Sequence, residues 1–141
     1  MNSRNSGKTA PNLDDDFDGV RETPSRDGQP ARIGHRRARA GELRDAYPSG
    51  THDLELRYEG APDAAFVASY TAELLRAEPR CRRVVLPVPE RDIAEIGWAE
   101  DAGYRYVIDV ETISGGYSLL VTEPQWVIDQ PAILEDIPLK E

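Results

Sequence analysis

The chain has 141 residues, 39% of them hydrophobic, with a formal charge of −9 at pH 7; the length predicts one domain, and the apolar content is low for a domain spread over all of it. The acidic balance repels phosphate backbones, so nucleic acid is not an expected partner. No run reaches the ~20 apolar residues that span a bilayer, the N-terminus lacks the apolar core of a secretory signal, and the single Cys81 excludes an internal disulfide, which together predict a cytoplasmic, not a transmembrane, protein.

Residues 1–50 hold only scattered apolar side chains among Gly, Pro, Ser, Asp and Arg. Such a segment does not bury enough surface to offset the entropy of ordering it, so it reads as a flexible docking arm. It carries nine Lys/Arg against eight Asp/Glu, leaving eight against eighteen in the remainder. Phe17, set among Asp14, Asp15, Asp16 and Asp18, resembles a short linear docking segment. The basic stretch Arg32, Arg36, Arg37 and Arg39 is a second candidate partner contact, suited to an acidic protein surface or anionic lipid. Residues 33–47 are predicted to form a short helix ended by Tyr47-Pro48-Ser49-Gly50.

From residue 51 to 123 the pattern is that of a folded α/β domain. Leu54, Leu56 and Tyr58 alternate with Glu55 and Arg57, the period of a half-buried strand. Pro62 opens a helix to about Ala77, whose stripe is Phe66, Val67, Tyr70, Leu74 and Leu75. The β-branched run Val84-Val85-Leu86-Pro87-Val88 predicts a strand covered on both faces and parallel to the first, with pairing loosened by Pro87. A second helix follows over residues 90–102, with Ile93, Ile96 and Trp98 as its apolar bulk and Gly103 as its stop. Strands at 104–111 and 117–122, joined by Ser114-Gly115-Gly116, complete a small mixed sheet of order β-α-β-α-β-β.

Residues 124–141 form an extended, Pro-containing tail in which Trp126, Ile133, Leu134 and Ile137 are candidate partner-binding residues, because left in water they would be costly. Neither His35 nor His52 has neighbours at metal-ligand spacing, so no metal site is expected. Cys81, beside Arg80, Arg82 and Arg83, lacks an identifiable base and reads as an inert strand-edge thiol.

The run Asp92-Ile-Ala-Glu-Ile-Gly-Trp-Ala-Glu-Asp-Ala-Gly-Tyr104, with the element order around it, resembles the C-terminal half of the GNAT (Gcn5-related N-acetyltransferase) superfamily. The resemblance implies a truncated version of that fold and a Gln/Arg-x-x-Gly-x-Gly/Ala loop cradling the pyrophosphate of an acyl-CoA at a helix N-terminus. In Arg57-Tyr58-Glu59-Gly60-Ala61-Pro62 only Arg57 and Gly60 match that loop, a vestigial acyl-CoA contact at most. Where many family members carry a general-acid tyrosine, four residues before the Gly-Tyr pair, this chain has Ala99, so no catalytic residue is nominated.

The resulting expectation is a non-catalytic interaction protein that docks on a larger assembly through arm and tail and needs no cofactor. One such setting is an accessory subunit peripheral to the inner face of the membrane, in a bacterial respiratory supercomplex. Two alternatives accompany it: an acyl-CoA-dependent N-acyltransferase completed by a partner subunit, and a regulatory domain that binds a metabolite.

Overall fold

The structure is a computed structural model and describes residues 11–128. Its centre is one six-stranded sheet: β1 (Gly19–Thr23), β2 (Ala31–Arg37), β3 (Leu54–Glu59), β4 (Val84–Pro89), β5 (Arg105–Thr112) and β6 (Gly115–Thr122), in spatial order β1-β2-β3-β4-β6-β5. Only β3 and β4 run parallel; every other neighbouring pair is antiparallel. Helices α1 (Leu13–Asp16), α2 (Ala64–Ala77), α3 (Ile93–Asp101) and α4 (Gln125–Ile128) complete the element set, with 3-10 turns at Ala38–Ala40 and Glu42–Asp45.

The α/β architecture expected for residues 51–123 is present, with each strand and helix within a few residues of its expected bounds. Asp63 caps α2 by accepting from the Phe66 N–H (3.1 Å), and Asp92 caps α3 by accepting from the Glu95 N–H (3.1 Å), which fixes where both helices begin. Alternate residues of β2, β3, β4 and β6 face these helices: Ile33, Leu54, Leu56, Val84, Leu86, Val88 and Leu120 pack with Val67, Tyr70, Trp98 and Tyr104. Ile93, expected in this core, is instead 80% exposed on the first turn of α3.

The expectation of a flexible arm over residues 1–50 is corrected for its described part, residues 11–50; residues 1–10 lie outside the described residues. Residues 19–37 form a hairpin that extends the sheet, with β2 paired to β3 along Arg32↔Glu59 through Arg37↔Leu54. The helix expected over 33–47 is likewise a strand followed by 3-10 turns. Apolar burial here is thin, Ala31 and Ile33 in the strand and Leu13, Ala38 and Leu43 around it, but the ladder to β3 satisfies the backbone groups that an isolated segment would leave to water.

The five arm residues nominated as partner contacts are engaged within the domain. The Arg36 guanidinium lies 4.5 Å from the Phe17 ring centroid. Arg32 pairs with Asp14 (2.7 Å) and Glu59 (2.8 Å), Arg37 donates to the Thr51 carbonyl (3.1 Å) and Glu78 (3.2 Å), and Arg39 donates to the Ser49 carbonyl (3.0 Å).

Strand β2 also carries a pH-sensitive contact. His35 Nδ1 sits 2.7 Å from the Tyr70 hydroxyl, and burial holds the imidazole pKa below its usual 6.5 while pushing the Tyr70 phenol up to about 12. The unfolded chain therefore takes up a proton on His35 before the folded chain does. Stability is full above about pH 6.5 and declines as the pH falls from there through the folded value. Urea titrations between pH 7.5 and 5 should show a steeper loss in the native protein than in His35→Gln; equal slopes would refute the assignment.

Candidate functional site

Strands β3 and β4 pair at only two positions, Leu54↔Val84 and Glu55↔Val85. Beyond them both strands continue, β3 held by β2 to its end and β4 held by β6 as far as Pro89↔Tyr117. The β4–β6 ladder is unbroken, so the N–H groups that Pro87 and Pro89 lack fall on the β3 side, and the two strands part there. A cavity of about 150 Å³ opens in this gap, lined by Pro11, Arg57, Tyr58, Pro87, Pro89 and Tyr117.

Against expectation, the sheet face carrying Glu55 and Arg57 is not solvated. Leu43 packs on it against Val85 of β4 and Leu119 and Val121 of β6, with Tyr47 alongside. Glu55 is fully buried and Arg57 and Arg36 nearly so. Arg36 donates twice to the Glu55 carboxylate (3.2 and 3.3 Å), and Arg57 Nε donates to the same group. Arg57 Nη2 reaches Glu42 at 2.9 Å, and the Arg57 guanidinium stacks 4.8 Å from the Tyr117 ring centroid. Burial works against the Arg57 cation, but Glu55, Tyr117 and Glu42 outweigh it and raise its pKa further. Burial likewise raises the Glu42 carboxyl, yet two hydrogen bonds from Ser114 and the charge of Arg57 prevail and hold it below the usual carboxylate value. Two cations thus face two carboxylates, and the buried Arg57 Nη1 has no hydrogen-bond partner among the described residues.

Gly60, the other nominated cofactor residue, is explained by the chain around it. Its φ of +75° is in the region that favours glycine, and a Cβ there would sit 2.4 Å from the Pro30 carbonyl oxygen. The loop that follows is tied to the β1–β2 turn: Arg26 N–H donates to the Ala61 carbonyl (2.8 Å), Asp63 N–H to the Pro24 carbonyl (2.9 Å), and both Arg26 Nε (2.9 Å) and Trp98 Nε1 (2.7 Å) donate to the Pro62 carbonyl. Arg26 also stacks 4.4 Å from the Trp98 ring and pairs with Glu95, which accepts from the Tyr58 hydroxyl at 2.8 Å. Burial is the main reason the Tyr58 phenol pKa is raised.

This loop does not fit an acyl-CoA pyrophosphate. Pro62 has no N–H, the Asp63 N–H is spent on Pro24, and the Asp63 carboxylate occupies the α2 N-terminus that the phosphates would need. The groove between α2 and α3 is lined by Asp63, Glu100 and Asp101 against the single cation Arg26, a balance that repels a polyanion. Ala99, at the position of the family's proton donor, is fully buried.

Of the other nominated positions, Trp126 is 42% exposed with the Arg82 guanidinium 5.2 Å from its ring, while Ile133, Leu134 and Ile137 lie outside the described residues. Cys81 is buried, and that burial pushes its thiol up to about 11, far from the thiolate a nucleophile needs. Among the described residues no group of three or more His, Cys, Asp or Glu is placed to hold a metal, and no helix is long and apolar enough to cross a membrane.

The gap between two parallel strands in a mixed sheet, with α2 as their crossover and α3 following β4, matches a GNAT-like fold, and solved structures agree. The chain is similar to an uncharacterized protein from Bacillus halodurans (TM-score 0.58, 17% identity, covering 72% of this chain and 56% of that one). It is also similar to aminoglycoside acetyltransferase AAC(6')-Ib in complex with coenzyme A and kanamycin (TM-score 0.57, 17% identity, 70% and 63%), and to the same enzyme with paromomycin and acetyl-CoA (0.58, 16%, 74% and 64%). The match spans less than two thirds of each of these chains, and the likeness is one of fold. No family model and no curated protein sequence matches the chain.

Proposed function

We propose that this chain is a non-catalytic interaction protein that uses an acetyltransferase-like frame as a rigid body for docking on a larger protein assembly. The observation that carries the reading is the state of the β3–α2 loop: Pro62 has no N–H, the Asp63 N–H is given to the Pro24 carbonyl, and the Asp63 carboxylate caps α2 where the phosphates would sit. A docking surface is available at the opposite side of the sheet. Edge strand β5 is eight residues long and leaves Tyr106, Val107 and Ile108 between 36% and 45% exposed, whereas the other edge, β1, is short and carries Arg21 and Glu22. The finer form of the proposal is an accessory subunit peripheral to the inner face of a bacterial respiratory supercomplex, tested by whether the chain co-purifies with detergent-solubilised respiratory complexes.

Calorimetric and thermal-shift titrations with acetyl-CoA test the loss of cofactor binding directly. No heat and no stabilisation are expected at millimolar ligand; a saturable shift would instead favour an N-acyltransferase completed by a partner subunit. A second reading, a domain that binds a metabolite, is favoured by the small cavity between β3 and β4, lined by Arg57, Tyr58 and Tyr117 among others.

A further inference from the structure

We infer that the end of the sheet where β3 and β4 begin binds a short acidic segment of a protein partner, gripped by arginines around an open groove. The inference rests on the docking reading and supplies the chemistry of one contact.

Arg37 ends β2, Leu54 opens β3 and Val84 opens β4, and the ladder sets these three residues in one row. Three segments meet there: residues 37–39, the loop 50–53, and residues 76–83, which run from the last turn of α2 to the start of β4. They carry six arginines, Arg37, Arg39, Arg76, Arg80, Arg82 and Arg83, against two carboxylates, Asp53 and Glu78. In a chain of net charge −9 this gathers positive charge in one place.

Both carboxylates are engaged locally. Glu78 accepts from Arg37 (3.2 Å), and Asp53 accepts from the backbone N–H groups of Gly50 (2.7 Å) and Arg82 (3.3 Å). Arg39 donates to the Ser49 carbonyl (3.0 Å) and Arg83 to the Tyr47 hydroxyl (2.8 Å), both neutral oxygens. Arg80 is exposed with no carboxylate partner among the described residues, and Arg76 is exposed beside a Glu73 already paired to Arg21 (2.6 Å). Hydrogen bonds to neutral oxygens do not cancel a guanidinium charge, so the face keeps a positive potential.

Shape and chemistry then select the partner. A groove of about 640 Å³ opens beside Arg39, lined also by Arg44, Asp45, Pro48, Ser49 and Gly50. That is room for a few residues of an extended chain. Planar guanidinium groups take carboxylates bidentately, which is how arginine clusters read acidic motifs. Trp126, 42% exposed beside Arg82, adds an aromatic border for an apolar side chain in the segment. An anionic bilayer fits less well on two counts. It is flat where this face is indented, and it extends past the arginines to the acidic remainder of the chain, which a short segment does not reach.

Fluorescence anisotropy of a short fluorescein-labelled oligoglutamate peptide, titrated with the full chain, tests the face. Vesicles of equal parts phosphatidylglycerol and phosphatidylcholine, at matched negative charge, form the second arm, read by co-sedimentation. The peptide is expected to bind with a dissociation constant of about 1 mM or tighter at low salt, and Arg76→Glu/Arg80→Glu to weaken it by about ten-fold or more. Arg21→Glu/Arg91→Glu makes the same change in net charge on exposed residues away from this face, and is expected to leave binding within about two-fold. Thermal melts in the same buffer show that both variants are folded. Equal losses in the two variants would overturn the location, since binding would then follow total charge alone. Vesicle binding that matches or exceeds peptide binding would overturn the class of partner. No binding of either probe would remove this face and leave the docking reading on the β5 edge; that reading falls instead on a saturable response to acetyl-CoA.

Discussion

Replacing Glu55 with alanine is expected to cost about 3–5 kcal/mol, because breaking a buried ion cluster by removing one partner strands the others. Glu55 is fully buried and accepts from both Arg36 and Arg57, so its loss leaves two guanidinium groups with Glu42 as the remaining carboxylate of the cluster. For a domain of this size the fall in melting temperature is on the order of 10–20 °C. Urea denaturation and calorimetry measure it, with Asp14→Ala as the control. Asp14 pairs with Arg32 at the surface, where solvent screens the interaction, and its removal should leave the midpoint nearly unchanged. Similar midpoints for the two variants would show that the cluster is not what holds the covered face of the sheet.

Gly60→Ala is the second large effect. The left-handed backbone at φ +75° costs a non-glycine residue roughly 1–2 kcal/mol. The new Cβ would also meet the Pro30 carbonyl 2.4 Å away, and backbone cannot yield there without moving the β1–β2 turn. That turn is bonded to residues 61–63 through Arg26 and Pro24, so the strain spreads into the start of α2. A total loss above about 2 kcal/mol is expected, measured by denaturant unfolding. The control is Gly97→Ala, in α3, where a Cβ meets nothing within 4 Å and alanine favours the helix. If Gly60→Ala proved as stable as the native chain, the loop would be free enough to re-form as a phosphate cradle, and the proposed non-catalytic role would lose its main support.

The two controls point to what sequence could and could not reveal. Period and composition located β3 through β6 and both long helices, because apolar residues there recur at the spacing each element requires; the Asp63 and Asp92 caps start the helices a few residues later than expected. The same reasoning failed for β2, where Arg32, Arg36 and Arg37 read as a basic partner contact in a flexible arm. In the folded chain their stems and guanidinium groups are used up on Asp14, Glu59, Phe17, Glu55 and Glu78. Charge that is neutralised across strands far apart in sequence leaves no local signature. Arg57 illustrates the point: its alternation with Leu56 and Tyr58 correctly set its face, yet nothing local announced that Glu42 and Tyr117 would close over that face. The Pro87 loosening was legible, since a missing N–H is a property of the residue itself. That the opening would become a cavity depended on Pro89, Tyr117 and Pro11 meeting there.

A sheet ordinarily has two open flanks, and proteins guard both against unwanted strands. This one has an extra pair in its middle, where β3 and β4 part company while each keeps its outer neighbour. An interior slot of that kind invites a stray peptide to zip in. Pro87 and Pro89 deny such a visitor its bonds along one rim, the same veto prolines exert on outer strands of other sheets. The residues that open the slot are therefore also the ones that keep other backbones out of it, leaving room for guests that bring no ladder of their own.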